Sequence, residues 1–424
     1  MPANLSASNR SQLAYKLEGV YPTNFGSLQA GNGKNLNMLS ESLNFDVKYE
    51  QSKQLRGDGQ IPAVVQVSAS TMGGFQFEAQ FKEYDPFIEG VMKSTFVHYG
   101  TNGVSTANAL TLTATTTTLT ASSATAGADI FTGLRKGQWF GIIPVAGATQ
   151  AVKDYLKGRA FRVSPTVAPS STVITLDAAT PINTAIITAP LAAGWRISSS
   201  RLYNGTTAPV IKSYSVEVGH QDVSVFRQYL GMIPSKMDLK LSVGAIITGS
   251  FEFMGKAMTS PLPTVTGMGT ADPSNNYVPA NATRGVFDVF ENGGALSATT
   301  YVKSGEFSID AGLRAQDAVG VFGTAGVGVG TFKVSGKLQV YFADATIFNK
   351  ILNGDTTSIT LPILDVNGNG YIYHFPMVTY SALKVNVGGQ DQDNMLDIDF
   401  MSTLDPSATS ETFQQTVAIY RVGI

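Results

Sequence analysis

The sequence contains no cysteine, and only 14% of its residues are charged. The lack of cysteine excludes disulfide scaffolds, thiol nucleophiles and cysteine-ligated zinc sites. A general DNA-binding protein needs a basic stripe that displaces counterions from phosphates, and the formal net charge of −2 argues against one. No apolar run approaches the roughly 18 residues that span a bilayer, and the N-terminal residues lack the apolar core of a secretory signal. We therefore expect a protein that is made in the cytoplasm and has no membrane partner.

Catalytic and metal-binding patterns are also scarce in the sequence. The histidines, which lack metal-ligand spacing, are His98, His220 and His374. DVNGNGYI at 365–372 begins like a calcium loop, but Pro376 replaces the glutamate at its last ligand position, so a tight hairpin turn is the better interpretation. We predict no catalytic residue, no metal site and no cofactor, and a chain that is not an enzyme. A glycosidase with Asp397 and Asp399 as its paired carboxylates is the open alternative.

The residues that are abundant favour β-structure. The chain has 43 glycines and several threonine-rich runs, which suit short strands joined by tight turns. Apolar and polar residues alternate with period two through most of the sequence, as in antiparallel strands with one buried face. Only 85–94 and 344–353 have helical periodicity, and each begins with an aspartate at a plausible N-cap. The predicted fold class is all-β with two short helices.

The same order of segments occurs twice, which indicates an internal duplication. Each copy has a strand, a glycine-bearing arm, a second strand and a short helix. The segments lie at 42–50, 51–62, 64–81 and 85–94 in the first copy, and at 305–313, 314–330, 331–342 and 344–353 in the second. After the helices, LKLSVG at 239–244 matches LKVNVG at 383–388 in kind at nearly every position. We interpret the chain as two copies of one unit that ends in hairpin strands.

The two copies differ in the connection that follows the helix. GDTTS at 354–358 makes this connection in the second copy, whereas the first copy has a long segment with its own short strands. We predict that 96–205 is a small all-β domain inserted in this loop, with a net positive charge that a net negative body balances. The predicted division is 1–95 and 206–258 for a discontinuous first unit, 259–283 for a linker and 284–424 for the second unit.

This order of strands, arm and helix resembles the major tail tube proteins of siphophages, the long-tailed bacteriophages. The stretches that carry the resemblance are 213–256 and 367–405, and they match in their pattern of strands and turns. The resemblance implies that each unit is a β-sandwich with one helix and a long arm. It also implies a structural protein of the virion tail, whose rings stack into a hollow tube that delivers DNA to the host cell.

The resemblance implies partners as well. They are further copies of the chain, the tape measure protein and passing DNA in the lumen without specific binding, and the tail terminator and tip proteins. Many such proteins have one unit per chain and form hexameric rings. Since this chain has two, we expect a trimeric ring with pseudo-sixfold symmetry, with a hexamer as the alternative.

Two sets of residues follow as candidate sites. The resemblance implies that the arms contact the adjacent ring, through Lys53, Arg56, Gly57, Asp58, Gly59, Arg314, Gly323, Gly326 and Gly330. In the strand after LKLSVG or LKVNVG, acids alternate with large apolar residues, so the carboxylates occupy the face opposite the core. We predict that Glu252, Asp397 and Asp399 face the lumen and repel DNA.

A different class of protein has a similar composition. A secreted or surface adhesin that binds carbohydrate would also be rich in β-strands, threonine and glycine. It would need an exposed aromatic platform, however, and the chain has only two tryptophans, Trp139 and Trp195. We keep this class as the alternative function.

Overall fold

A computed structural model of the chain consists mostly of antiparallel strands, and the predicted all-β fold class is confirmed. The described residues are 6–19, 21, 33–100, 110–123, 131, 133–144, 147–157, 159–187, 196–204, 209–259, 268–283, 285–286, 288–296, 300–343, 345–406 and 414–423. Within them, no helix has both the length and the apolar character that crossing a membrane requires.

The elements fall into groups along the chain. Before the predicted insert lie β1 (Ser11–Leu17), β2 (Lys34–Leu36), β3 (Ser40–Glu41), β4 (Asn44–Gln51), β5 (Val64–Glu78) and α1 (Asp85–Met92). Within it lie β6 (Val97–His98), β7 (Leu110–Ala114), β8 (Thr118–Ser123), β9 (Trp139–Ile143), α2 (Gln150–Leu156), β10 (Phe161–Arg162), β11 (Val173–Thr175), β12 (Arg196–Ser198) and β13 (Ser200–Tyr203). After it come β14 (Tyr214–His220), β15 (Val225–Ser242), β16 (Thr248–Gly255) and β17 (Ala257–Met258).

The remaining elements belong to the second predicted unit. They are β18 (Phe290–Glu291), β19 (Gly294–Ala295), β20 (Val302–Asp310), β21 (Leu313–Gln316), β22 (Gly326–Val329), β23 (Lys333–Tyr341), α3 (Thr346–Asn353), β24 (Thr356–Leu364), β25 (Gly370–Asn386), β26 (Met395–Thr403) and β27 (Ala418–Val422). The two predicted helices are therefore present as α1 and α3, and α2 is an additional helix inside the segment that was predicted to be all-β.

The start of α1 differs in detail from the prediction. Asp85 is the first helical residue and not the N-cap, which is Tyr84 without a side-chain capping bond. The Asp85 carboxylate instead accepts hydrogen bonds from the Tyr371 hydroxyl and the Arg421 guanidinium. Asp85 therefore contacts the distant Arg421 and does not cap its own helix. The predicted cap of α3, Asp344, lies outside the described residues.

The central feature of the fold is one continuous antiparallel sheet. Its strands follow the order β4-β5-β16-β15-β20-β23-β26-β25. The first half of this order comes from residues before 256 and the second half from residues after 301. The halves meet where β15 pairs with β20, from Lys236 opposite Asp310 to Ser242 opposite Ser304. A single backbone ladder thus joins the two predicted units.

The strand order of the first half recurs in the second, and so do the irregularities. β15 leaves Ser235 unpaired against β16, and β25 leaves Ser381 unpaired against β26. The upstream halves of β15 and β25 pair with β14 and β24, and each of those ladders also contains one shift. Bulges bend a strand at a defined position, so β15 and β25 bend alike and each belongs to two layers of its unit.

Large apolar side chains fill the space between the layers. One core cluster extends through both halves and includes Phe75, Phe251, Phe307 and Phe400, each at most 3% exposed. Burying a side chain of this size contributes about 1.5–3 kcal/mol. Gly336 allows Phe400 to lie across the neighbouring strand, because an added Cβ would lie 2.3 Å from the ring Cζ.

The predicted insert has a core of its own. A second apolar cluster consists only of residues between 99 and 197, around two small three-stranded sheets. A third cluster connects this region to the second half of the chain: Trp139, 1% exposed, packs against Phe290 with ring centroids 5.3 Å apart. Tyr420 and Ile372 belong to the same cluster. The segment therefore leaves the first half of the chain and packs on the second.

The described part of the predicted linker packs on the first half. Asp272 forms backbone hydrogen bonds with Gly33 and Asn35, and the amide of Asn275 donates to Glu83 at 2.9 Å. Tyr277 contacts Phe81 edge to face. These contacts fix 268–283 as an ordered strap, although the predicted domain boundaries themselves stay predictions.

Replacement of Trp139 by alanine should loosen the contact between the insert and the body. Truncation of a buried tryptophan typically costs about 3–5 kcal/mol, and here it removes the ring that packs on Phe290. We expect a lower urea midpoint by circular dichroism and faster amide exchange in β9 and β27. Val167→Ala, at an exposed position of the same region, is the control and should change stability by less than about 0.5 kcal/mol. Equal midpoints for both variants would contradict this packing role.

Candidate functional site

The central sheet has one apolar and one polar face. Along β15, Met237, Leu239 and Leu241 point into the core, whereas Asp238 and Lys240 point to the other side. A depression of about 830 Å³ lies on the polar side, and its lining comes from β5, β16, β15, β20, β23, β26 and β25. Seven of the eight strands of the sheet line this depression, so the polar face is concave there.

The three predicted lumen residues lie on this polar face. The Glu252 side chain is 57% exposed, while Phe251 and Phe253 on either side are buried. Asp399 is exposed between the buried side chains of Ile398 and Phe400, and Asp397 lies two residues before it on the same face. The period-two alternation that predicted two faces is present in both strands.

Asp397 differs from the other two acids because it is held by amide groups. Its carboxylate accepts hydrogen bonds from Gln339 Nε2 at 2.9 Å and Asn386 Nδ2 at 2.7 Å. Partial burial raises the pKa of Asp397, but these two hydrogen bonds and the charges of Lys337 and Lys384 lower it, and the net direction is down. Asp397 is therefore an anion that two amide side chains hold in place on the polar face.

Lysines that the sequence prediction did not consider share the face with the acids. Lys236 Nζ lies 2.9 Å from Asp238 and 3.9 Å from Glu252. Lys240 lies 3.8 Å from Glu306, across the junction of the two halves. Such partly exposed pairs contribute at most about 1 kcal/mol each. The face is thus a surface of alternating charge and not a purely acidic one. The alternation in KMDLK at 236–240 was the signal that could have revealed it.

The first predicted arm is the connection between β4 and β5. Lys53, Arg56, Gly57, Asp58 and Gly59 are all exposed there. The Arg56 guanidinium contacts the Asp58 carboxylate at 2.9 Å, and this hydrogen bond lowers the pKa of Asp58. Gly59 has a φ of 68°, which glycine adopts without strain. The arm is a turn with a local ion pair at the end of a long hairpin.

The second predicted arm connects β20 to β23, the equivalent place in the other half. It contains a two-stranded ribbon in which β21 pairs with β22, with Arg314 opposite Gly328 and Gln316 opposite Gly326. Gly323 lies in the loop at the tip, with a φ of 91°. At the base, the Gly330 amide donates to the carbonyl oxygen of Gly312 at 2.7 Å. Both arms therefore connect equivalent pairs of neighbouring strands in their halves.

The arms also carry apolar side chains that the composition argument did not single out. Leu55 on the first arm and Val319 on the second are fully exposed, and Ile61, Val64 and Val65 are more than half exposed. Exposed apolar side chains at the tips of two ribbons favour contact with another surface. Neither arm tip contacts a core cluster of the described residues.

The central sheet has an open edge at each end. Among the described strands, β4 pairs with β5 alone, and the part of β25 from Ala382 to Asn386 pairs with β26 alone. Each edge presents unpaired backbone N–H and C=O groups. Open edges of this kind are templates for pairing with another strand.

The histidines take part in separate hydrogen bonds. His374 Nδ1 lies 2.8 Å from Thr360 Oγ1, and burial together with nearby Arg162 lowers the pKa of His374 well below its usual range. His98 and His220 contact serine hydroxyls. The described residues contain no group of three or more His, Asp or Glu side chains that could hold a metal ion. Asp365 closes the turn between β24 and β25, as the hairpin interpretation predicted.

Comparison with known proteins gave one family. The family model for the phage tail tube protein matches residues 8–402, a range that includes both halves of the chain and the insert. No curated protein matches the chain.

Proposed function

The chain belongs to the phage tail tube protein family, and we propose that it forms stacked rings whose channel delivers DNA to the host cell. The tail tube is a part of the virion, and its subunit assembles with copies of itself and with other tail proteins. In this proposal the tape measure protein and then the DNA occupy the lumen, and terminator and tip proteins close the two ends. The role is structural and involves no catalysis.

The concave polar face of the central sheet is the observation that carries the proposal. A channel wall needs a continuous, hydrated surface on one side and a core on the other side to keep it rigid. The central sheet has both, and its alternating lysines and acids leave no basic stripe that would grip DNA. Glu252, Asp397 and Asp399 would then line the channel, as the alternation predicted.

The repeated strand order supports a trimeric ring. The first half of the sheet already pairs with the second through β15 and β20, and each half has the same order of strands and bulges. If each half represents one unit, three chains provide six units. Cyclic symmetry closes such a ring without leaving a free edge. A ring of six chains is the alternative.

The insert is best placed on the outside of the tube. Its contact with the body involves Trp139, Phe290, Ile372 and Tyr420. The strands that carry the last three residues belong to the layer behind the central sheet, away from the polar face. A domain attached there can decorate the tube without narrowing the channel.

The structure gives reasons to prefer this role to the two alternatives. Trp139 is buried, so it cannot serve in the exposed aromatic platform that a carbohydrate-binding adhesin needs. A glycosidase requires one carboxylic acid whose pKa is raised so that it can donate a proton. The pKa of Asp397 is lowered instead, and its carboxylate is occupied by two amide donors.

Negative-stain imaging of the purified protein tests the proposal directly. We expect hollow tubes of uniform diameter, because open strand edges and exposed arms favour association of identical copies. The control is the same protein in urea above its unfolding midpoint, where tubes should be absent. A monodisperse monomer that binds glycans at the concentrations where tubes are expected would support the adhesin instead.

Charge reversal on the channel wall should slow DNA release. We expect Glu252→Lys with Asp399→Lys to leave tube formation intact, because both side chains are exposed, and to slow ejection most at low salt, where the Debye length exceeds about 10 Å. The control with the same change of charge is Asp154→Lys with Asp272→Lys, at exposed positions away from the polar face. Ejection from intact mutant tails at the control rate would remove these acids from the channel wall.

The arms should become protected when rings stack. We expect fast amide exchange in 53–61 and 314–330 of the free subunit and slower exchange in the tube, because exposed Leu55 and Val319 gain a partner there. Leu55→Ser with Val319→Ser should leave the stability of the subunit unchanged and weaken tube formation. Equally fast exchange in both forms would show that the arms do not contact the next ring.

A further inference from the structure

The two halves of one chain are joined by a pair of antiparallel strands. β15 and β20 pair with Met237 opposite Ile309 and Leu239 opposite Phe307. All four side chains are at most 2% exposed. The junction therefore combines a backbone ladder with an apolar seam that continues the core from one half into the other.

The bulges show which residues of β25 correspond to this seam. Ser235 and Ser381 are the unpaired residues of the two equivalent bulges. Counting from them, Leu239 corresponds to Val385 and Met237 to Leu383. The match of LKLSVG with LKVNVG, which aligned Leu239 with Leu383, was therefore displaced by two residues. Leu383 and Val385 are only half-buried, since the equivalent of β20 is missing beside them.

The opposite edge can be aligned in the same way. In the first half, Met254 on β16 pairs with Met72 on β5, which pairs with Asn44 on β4. In the second half, Met401 on β26 pairs with Ser335 on β23, which pairs with Ser308 on β20. Asn44 on β4 therefore corresponds to Ser308 on β20. By the same step, Phe45 corresponds to Ile309, and Phe45 is also only half-buried.

From these equivalences we propose that β25 of one copy pairs with β4 of the next in the register of the internal junction. Leu383 then lies opposite Phe45 of the neighbouring copy and Val385 opposite its Leu43, so that the apolar seam is repeated. On the polar face, Lys384 lies opposite Asn44 and within reach of Asp46. This inference rests on the proposed ring, and it specifies which residues form the ring contact.

The two helices provide independent support. α1 and α3 each end at a residue in the left-handed conformation, Lys93 and Gly354. Counting back from these ends, Leu352 corresponds to Val91, yet Leu352 is 81% exposed and Val91 is 1% exposed. At the internal junction, Lys93 Nζ donates to a backbone carbonyl oxygen of the second half at 2.7 Å. α3 stands in the same relation to the open edge of β25, so the neighbouring copy would cover its exposed side.

The contact is heterologous, because it joins two different edges of identical chains. Such contacts build a closed ring when the rotation per copy divides a full turn and an open filament when it does not. The internal junction already defines one such rotation. If the second junction repeats this rotation and six such rotations complete a full turn, three chains close the ring.

Cysteine cross-linking tests the register, and the absence of native cysteine makes the test clean. We expect Lys384→Cys with Asn44→Cys to form disulfides between copies in oxidised tubes, because directly opposed residues of antiparallel strands have Cα atoms about 4.5–5.5 Å apart, within disulfide range. Most of the monomer band should be replaced by covalent oligomers that reducing agent reverses. Asp238→Cys with Ser308→Cys is the equivalent pair of the internal junction and should give only a cross-link within the chain.

A pair that is out of register completes the design. Lys384→Cys with Ser42→Cys is displaced by two residues, and diagonal Cα atoms about 7–8 Å apart are beyond disulfide reach. If the first pair fails to assemble, Ala382→Cys with Asp46→Cys tests the same register at a second position. Equal cross-linking of the displaced pair, or assembled tubes without cross-links at either matched pair, would overturn the register. Such tubes would leave the proposed function standing, whereas wild-type protein that forms no tubes would contradict that function.

Discussion

The pairing of β15 with β20 is the contact on which the rest of the structure depends. A strand edge carries a row of backbone donors and acceptors, and each unit of this fold has two such edges. The chain satisfies one pair of edges internally, over Lys236 to Ser242. What remains is one open edge at each end of a continuous sheet, with half-buried apolar residues beside both. The unpaired backbone groups of these edges, and not only the side chains on the surface, therefore favour association with a further copy.

The same sheet separates two environments. Bulges at Ser235 and Ser381 let β15 and β25 leave the central sheet and cover its apolar face. The other face stays free for polar side chains. Its charges are of both signs, and some of them form ion pairs, as Lys236 does with Asp238. In the proposed tube, a face of mixed charge offers no continuous basic stripe that would hold the passing DNA.

Local patterns in the sequence predicted much of this arrangement. Period-two alternation identified the strands and placed Glu252 and Asp399 opposite the core, and the repeated order of segments predicted the equivalent positions of the arms. Three features depended on contacts between distant residues and were not predictable in this way. Asp85 meets Arg421 instead of capping its helix, Trp139 packs on the second half of the chain, and β15 pairs with β20. No local spacing reports which strand becomes the neighbour of another.

Averaged images viewed along the axis of the assembled tube would show whether the internal junction is repeated between chains. We expect six similar units around the channel, formed by three chains, with the inserted domain appearing three times on the outside. Six chains in each ring, each with its own inserted domain, would contradict this expectation.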